Sequence, residues 1–213
     1  MAPVDDLPDV ISKMPPSRRG VARKNAIIEA ALELTGRDGI AGLSMRAVAA
    51  KADIPLGAVG YYFDDKTDLI HAVYERHIER ETARVARAIA RMGDTPSPAA
   101  LADHLADFVI EGLSTMKLHV LAEYEFTVEA ARRPSLAQSS SAWQTVLNGQ
   151  LRSVMESLGS RSPKTDARLI LAVLAGLEVD QLPTDLDPAT RRSIRDVLRR
   201  LLRCLELSWH SDR

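Results

Sequence analysis

Residues 43–69 read LSMRAVAAKADIPLGAVGYYFDDKTDL, and the spacing within them decides the fold. Ser44 offers a side-chain oxygen to the amides of a short helix that runs through Ala52, with Met45, Val48 and Ala49 turned inward. Pro55 biases Ile54 away from helical geometry, so Asp53-Ile54 is a tight turn, and a third short helix follows from Pro55 to Tyr62. Asp65, with Asp68 in the position of a capping box, opens a long fourth helix from Lys66 to Met92. Upstream, Ile27, Ile28, Ala31 and Leu34 recur at helical spacing in a helix read from Arg23, and Gly36 with Gly39 supply its stop. Two short helices joined by a few turn residues, with a helix before and a long one after, describe a helix-turn-helix module.

The rest of the chain fits an all-α protein. Of 213 residues, 46% are hydrophobic, 27% charged and only 4% aromatic, which excludes disordered, collagenous and disulfide-framework classes and favours helices over a sandwich or barrel. A net charge of -1 excludes a globally basic binder, so any nucleic-acid surface must come from local charge placement. Cys204 is alone, the N-terminus carries Asp5, Asp6 and Asp9 with no signal-length apolar run, and no stretch reaches the roughly 18 apolar residues of a membrane span. The expectation is a cytoplasmic protein with no membrane partner. Residues 1–16 hold four prolines and read as a flexible arm, whose end and sequel (Lys13, Arg18, Arg19, Arg23, Lys24) are basic with no acid among them.

The 43–69 stretch resembles the N-terminal domain of the TetR family of bacterial transcriptional repressors. The likeness is carried by the Ala-rich second helix, Gly57 in the third, the Tyr62-Phe63 pair, and Lys66 two residues before Asp68-Leu69. Three positions depart from the common pattern: Asp53 stands at a turn position usually held by Gly, Pro55 replaces a Ser or Thr cap, and Gly60 replaces an aromatic residue. The resemblance implies an arm over 1–16, a three-helix DNA-binding domain over 17–66, and a helical ligand-binding and dimerisation domain over 67–213. It further implies a homodimeric repressor of a near-palindromic double-stranded DNA operator, released by a small-molecule effector and needing no cofactor.

Direct reading of bases usually uses Arg, Lys, Asn or Gln, and the third helix has none of these. Leu56 and Ala58 can meet thymine methyls, Gly57 and Gly60 let the backbone approach closely, and Tyr61 and Tyr62 can reach phosphates. Arg46 matches a position that contacts DNA in some members of the family and is the candidate for a guanine. Arg18, Arg19, Ser44 and Lys66 are candidates for phosphate, the last together with the amides at the start of its helix.

Beyond a break at Gly93–Pro98, five more amphipathic helices follow. The last two carry the candidate dimer interface, Ile170, Leu174 and Leu177 with Ile194, Leu198, Leu201 and Leu205. The same stripe can fill the core of one chain. The final helix sets a stripe of arginines (Arg191, Arg192, Arg195, Arg199, Arg200, Arg203) opposite its apolar side, a detail that favours an interface, against the alternative of a merely solvated face. Candidate effector contacts are Phe108, Met116, His119, Glu123, Tyr124, Phe126, Thr127, Trp143 and Leu147, with Val120, Leu121 and Val128 on the same inward face. Such a lining suits an apolar or amphipathic molecule.

Two other classes compete: a constitutive dimeric DNA-binding protein with no effector, and a helical-bundle enzyme. Ser139, Ser140 and Ser141 at a helix start lack a glycine elbow and a base, which argues against a serine triad. His71 with Glu75 and His119 with Glu123 have two-ligand spacing but no third ligand, so no metal is expected.

Overall fold

The structure, a computed structural model, describes residues 18–93 and 97–210, all helix and connection with no strand among them. The expected arm over 1–16, with Lys13, lies outside the described residues. The helices are α1 (Arg18–Gly42), α2 (Met45–Lys51), α3 (Leu56–Tyr62), α4 (Lys66–Ala90), α5 (Pro98–Thr115), α6 (Lys117–Ala130), α7 (Pro134–Ser157), α8 (Pro163–Gln181) and α9 (Pro188–His210). An N-terminal head of α1–α3 is joined through α4 to a bundle of α5–α9, as the fold reading expects.

Local chemistry sets the head. Ser44 Oγ accepts from the Ala47 amide at 3.1 Å and starts α2. Asp53 takes the left-handed conformation, φ 52°, that the turn requires. Asp65 accepts from the amides of Thr67 and Asp68, while Asp68 accepts from Asp64, so the capping box closes one residue earlier than the usual form. The first helix differs from expectation: it begins at Arg18 and passes straight through Gly36, kinking at Gly39, where φ is 71° and ψ is 171°. Glycine weakens a helix without ending it when packing holds the turn, and here α6 packs along α1.

Two apolar cores form. The first joins Ile27, Ala31 and Leu34 of α1, Val48 and Val59 of the short helices, and Leu69, Ile70, Val73 and Tyr74 of α4, so it includes residues on both sides of position 66. It also takes in Ala122, Phe126 and Ala130 of α6 and Leu136 of α7. The second fills the bundle, where α5 lies on α9 and α7 on α8.

That second core corrects the candidate interface. Ile170, Leu174, Ile194, Leu198 and Leu205 are buried inside the single chain, and Leu177 and Leu201 are half-buried against the same core. A helical stripe reports that a face is buried; it does not report which chain buries it. The large apolar residues left facing outward on these helices are Leu169 and Val179 on α8 and Val197 and Leu207 on α9, with Cys204 exposed on the same helix. The arginine face of α9 is in part paired: Arg195 meets Asp107 at 2.7 Å, Arg199 meets Asp103 at 2.8 Å, and Arg191 reaches Ser114 Oγ at 3.0 Å, all on α5.

Helices α1 and α6 approach closely at Gly36, where a Cβ would stand 1.9 Å from the Leu118 carbonyl oxygen. Backbone atoms on both sides leave nothing that can turn away. Gly36→Ala is expected to lose about 1 to 3 kcal/mol in urea unfolding, against a gain approaching ~1 kcal/mol for the same change in an open helix.

Candidate functional site

The chain presents two sites, an exposed helical head and an internal cavity. In the head, Val59 is fully buried and anchors α3, so Leu56, Gly57, Gly60 and Tyr61 are directed outward, with Ala58 and Tyr62 half-buried. Tyr61 is 81% exposed and meets Tyr62 edge to face, the ring centroids 5.0 Å apart. Around both Gly57 and Gly60 no atom lies within 4 Å of a notional Cβ. The helix therefore carries a smooth outer surface on which a second backbone can come close.

The cations of the head are not equivalent. Lys51 pairs with Glu33 at 2.7 Å, and Lys24 stands over the Phe63 ring at 5.4 Å. Arg18, Arg19 and Arg46 are exposed, and among the described residues they form no ion pair. Lys66 differs from expectation. Its ammonium lies 3.5 Å from the Ala41 carbonyl at the end of α1, where a cation meets the negative end of the helix dipole. The amides of Thr67 and Asp68 beside it are already taken by Asp65, so they cannot join Lys66 in holding a phosphate. Ser44 is engaged as the α2 cap.

The cavity lies between α4, α5, α6, α7 and α8 and encloses ≈ 400 Å³. Of the residues expected there, Phe108, Glu123, Tyr124, Thr127, Trp143 and Leu147 line it. Met116, His119 and Phe126 do not. Met116 sits at the α5–α6 junction. His119 faces Arg80, Glu29, Glu33 and Glu81, with burial holding its pKa below the usual value. Phe126 is fully buried in the head core, stacked on Tyr74 with centroids 4.8 Å apart. Val128, expected on the inward face, is exposed. Helix α6 packs on two cores at once, so no single apolar face could be read from its sequence.

The polar members of the wall come mostly from positions that periodicity does not flag. Glu81 and Arg84 of α4 are buried and paired at 2.7 Å, and the Arg84 guanidinium lies 3.5 Å over the centroid of Phe108. Tyr124 donates to Glu178 of α8 at 2.9 Å. Burial, reinforced by Glu178 and Glu81, pushes the Glu123 carboxyl up to about 8, and burial raises Glu178 as well. The signal that could have found Glu81 and Glu178 is an acid at a position whose helical neighbours i±3 and i±4 are apolar or bundle-facing. His71 bonds Ser135 Oγ at 3.0 Å, and Ser139–Ser141 lie inside α7. Among the described residues no three His, Cys, Asp or Glu side chains are grouped to hold a metal, and no helix is long and apolar enough to cross a membrane.

Two family models match the chain: residues 27–73 fit "Bacterial regulatory proteins, tetR family" and residues 96–204 fit "Tetracyclin repressor-like, C-terminal domain". The nicotine-responsive transcriptional repressor HdnoR of Paenarthrobacter nicotinovorans is 22% identical over 173 residues, covering 79% of this chain and 88% of that protein. The multidrug binding protein EbrR, solved with ethidium, is 38% identical with a TM-score of 0.61, the match covering 84% of this chain and 97% of EbrR. A transcriptional regulator of Rhodococcus sp. Rha1 shares the fold with a TM-score of 0.73 at 24% identity, over 86% of this chain and 96% of its own.

The open surroundings of Gly57 and Gly60 separate stability from contact. Gly57→Ala and Gly60→Ala should each raise stability, by up to about 1 kcal/mol, because alanine favours the helix and meets nothing. Each should weaken binding to a specific DNA duplex, read by fluorescence anisotropy, where the added methyl holds the two backbones apart.

Proposed function

The chain belongs to the tetR family of bacterial regulatory proteins, and from that premise we propose that it is a homodimeric, cytoplasmic repressor that leaves a near-palindromic operator when a small molecule fills the bundle cavity. The observation that carries the reading is the double duty of α6. Its Ala122, Phe126 and Ala130 belong to the head core, whereas Glu123, Tyr124 and Thr127 wall the cavity. The relatives support small-molecule control: HdnoR is described as nicotine-responsive and EbrR as multidrug binding. In this reading Arg46 contacts a base, Arg18, Arg19 and Lys66 hold backbone, and α3 supplies close approach and thymine contact. Lys66 must leave the Ala41 carbonyl to do so.

Dimerisation is assigned to the outward faces of α8 and α9 around Leu169, Val179, Val197 and Cys204, in place of the buried stripe. Two heads held by a two-fold axis then meet half-sites roughly 34 Å apart or a multiple of that. Leu169→Arg combined with Val197→Arg removes no core atom, so it should leave helix content intact and yield monomers in sedimentation; a dimer of unchanged affinity would move the interface elsewhere.

The functional test is operator selection with purified protein, followed by titration of compounds that release the selected duplex. Arg46→Ala should lose about 1 to 3 kcal/mol at one operator position, whereas Arg19→Ala should weaken specific and random DNA alike. An effector that weakens operator binding roughly 5- to 150-fold must itself bind DNA-loaded protein more weakly by the same factor. Equal affinity for free and loaded protein excludes release by this route and leaves a constitutive DNA-binding dimer.

A further inference from the structure

The charge inside the bundle cavity is unbalanced. Three carboxylates line it: Glu81 from α4, Glu123 from α6 and Glu178 from α8. Glu81 is matched by Arg84, whose guanidinium also covers the face of Phe108. The other two acids have no cation of their own: the charge of Arg84, engaged with Glu81, reaches both and lowers both, and burial outweighs it. Glu178 receives the Tyr124 hydroxyl, a neutral donor. Glu123 faces Nε2 of His77 at 3.9 Å, beyond hydrogen-bond reach. His77 is 1% exposed, both its ring nitrogens lack partners, and burial with the charges of Arg84 and Arg80 nearby holds its pKa at about 3, so it stays neutral.

The remaining polar groups do not fill the gap. His104 of α5 is committed to the Ala100 carbonyl at 2.7 Å, Arg168 of α8 is solvent-exposed at the rim, and α7 contributes only uncharged side chains. His119, on α6, is turned to the charges of α1 and α4. Burial, only partly offset by Arg84, raises both acids, Glu123 to about 8, so the pair holds at least one proton at neutral pH. A neutral apolar guest needs no such pair, and an anion gains no ion pair from it and opposes its ionisation. A guest that brings a positive charge supplies what the wall lacks, and the ring faces of Tyr124 and Trp143 are placed to receive its apolar body.

We propose that the cavity selects an organic monocation with a flat apolar body, whose charge sits against Glu123 and Glu178 and whose entry expels one proton from that pair to solvent. The exchange balances: one positive charge enters, one leaves, and the acid pair passes from protonated to ion-paired. The cavity's ≈ 400 Å³ suits a drug-sized guest. The identification of this guest as the effector rests on the function proposed above; its charge does not.

Three dyes that brighten on burial test the selection on the full-length protein: thioflavin T, a cation; phenylnaphthylamine, neutral; and anilinonaphthalene sulfonate, an anion. Thioflavin T should bind at least about tenfold more tightly than either of the others. Its affinity should climb by up to about tenfold per pH unit as pH rises from about 6 towards about 8, because the proton competes for the acid pair below the raised pKa and ceases to compete above it. Calorimetry in two buffers of different ionisation heat should count close to one proton released per dye. In the double variant Glu123→Gln with Glu178→Gln, thioflavin T should weaken at least about tenfold and lose its pH dependence while phenylnaphthylamine binds as before, which also reports that the cavity is intact. Should that variant fail to fold, the proton count and pH profile of the unaltered protein decide alone. Thioflavin T affinity that is flat with pH, release of no proton, or tighter binding of the neutral dye overturns the proposal. Operator release is read separately, by anisotropy of a labelled duplex. Acid-dependent dye binding with unchanged operator affinity removes the effector role and supports the charge selection, whereas release by a neutral compound bound more tightly than the cation supports the effector role and overturns the selection.

Discussion

The contact of α1 with α6 at Gly36 is the constraint on which the rest of the molecule depends. A side chain there would meet the Leu118 carbonyl, so only glycine lets the two backbones touch. Three residues on, Gly39 kinks α1, and the freed amide of Ile40 donates to Glu125 of α6 at 3.2 Å. Further along α6, Phe126 enters the head and stacks on Tyr74 of α4. One helix of the bundle is thereby a structural part of the DNA-reading head.

Charge placement reconciles a nearly neutral chain with a nucleic-acid surface. The acids of the head are largely occupied: Asp65 and Asp68 cap α4, Glu33 holds Lys51, and Glu29 ties α1 to Arg76 and Arg80 of α4 at 3.0 and 3.2 Å. Each such pair removes an acid from the field that a phosphate would meet. The exposed cations Arg18, Arg19 and Arg46 are thus set against a background from which much of the negative charge has been withdrawn. On α9 the same economy works for architecture, where Arg195 and Arg199 lock to Asp107 and Asp103 of α5.

The head was legible in the sequence because its signals are local. A serine cap, a proline that forbids helix one residue earlier, and an aspartate able to turn left-handed act over four residues or fewer, and the structure repeats them at Ser44, Pro55 and Asp53. The misreadings share one origin, the loss of information about partners. Gly36 looked like a helix stop because propensity cannot see α6. Ile170 and Leu198 looked like a subunit contact because a stripe has no label for the chain that covers it. Phe126 and His119 looked like cavity residues because a helix wedged between two cores is apolar on several sides. The cavity acids Glu81 and Glu178 were passed over for a related reason: an acid on a helix is read as solvated until the neighbouring helices are in place.

A guest in the cavity can alter operator affinity only by distinguishing two positions of the heads. Two struts transmit that distinction. Helix α4 starts at the head beside α3, and its Arg84, Val85, Ala88 and Ile89 form cavity wall. Helix α6 gives Glu123, Tyr124 and Thr127 to the cavity from the turns that give Ala122 and Phe126 to the head. Where they meet, the unpartnered His77 of α4 stands 3.9 Å from Glu123 of α6 without a hydrogen bond, and the Phe126 ring centroid lies 5.7 Å from the imidazole. An unsatisfied buried imidazole beside an unpaired carboxyl is costly to keep, and any change in the charge or position of Glu123 changes that cost. The junction between the cavity and the head therefore holds, among the described residues, a buried imidazole with neither ring nitrogen satisfied. Helices α4 and α6 meet at Glu123, and both also contribute side chains to the core that α3 stands on.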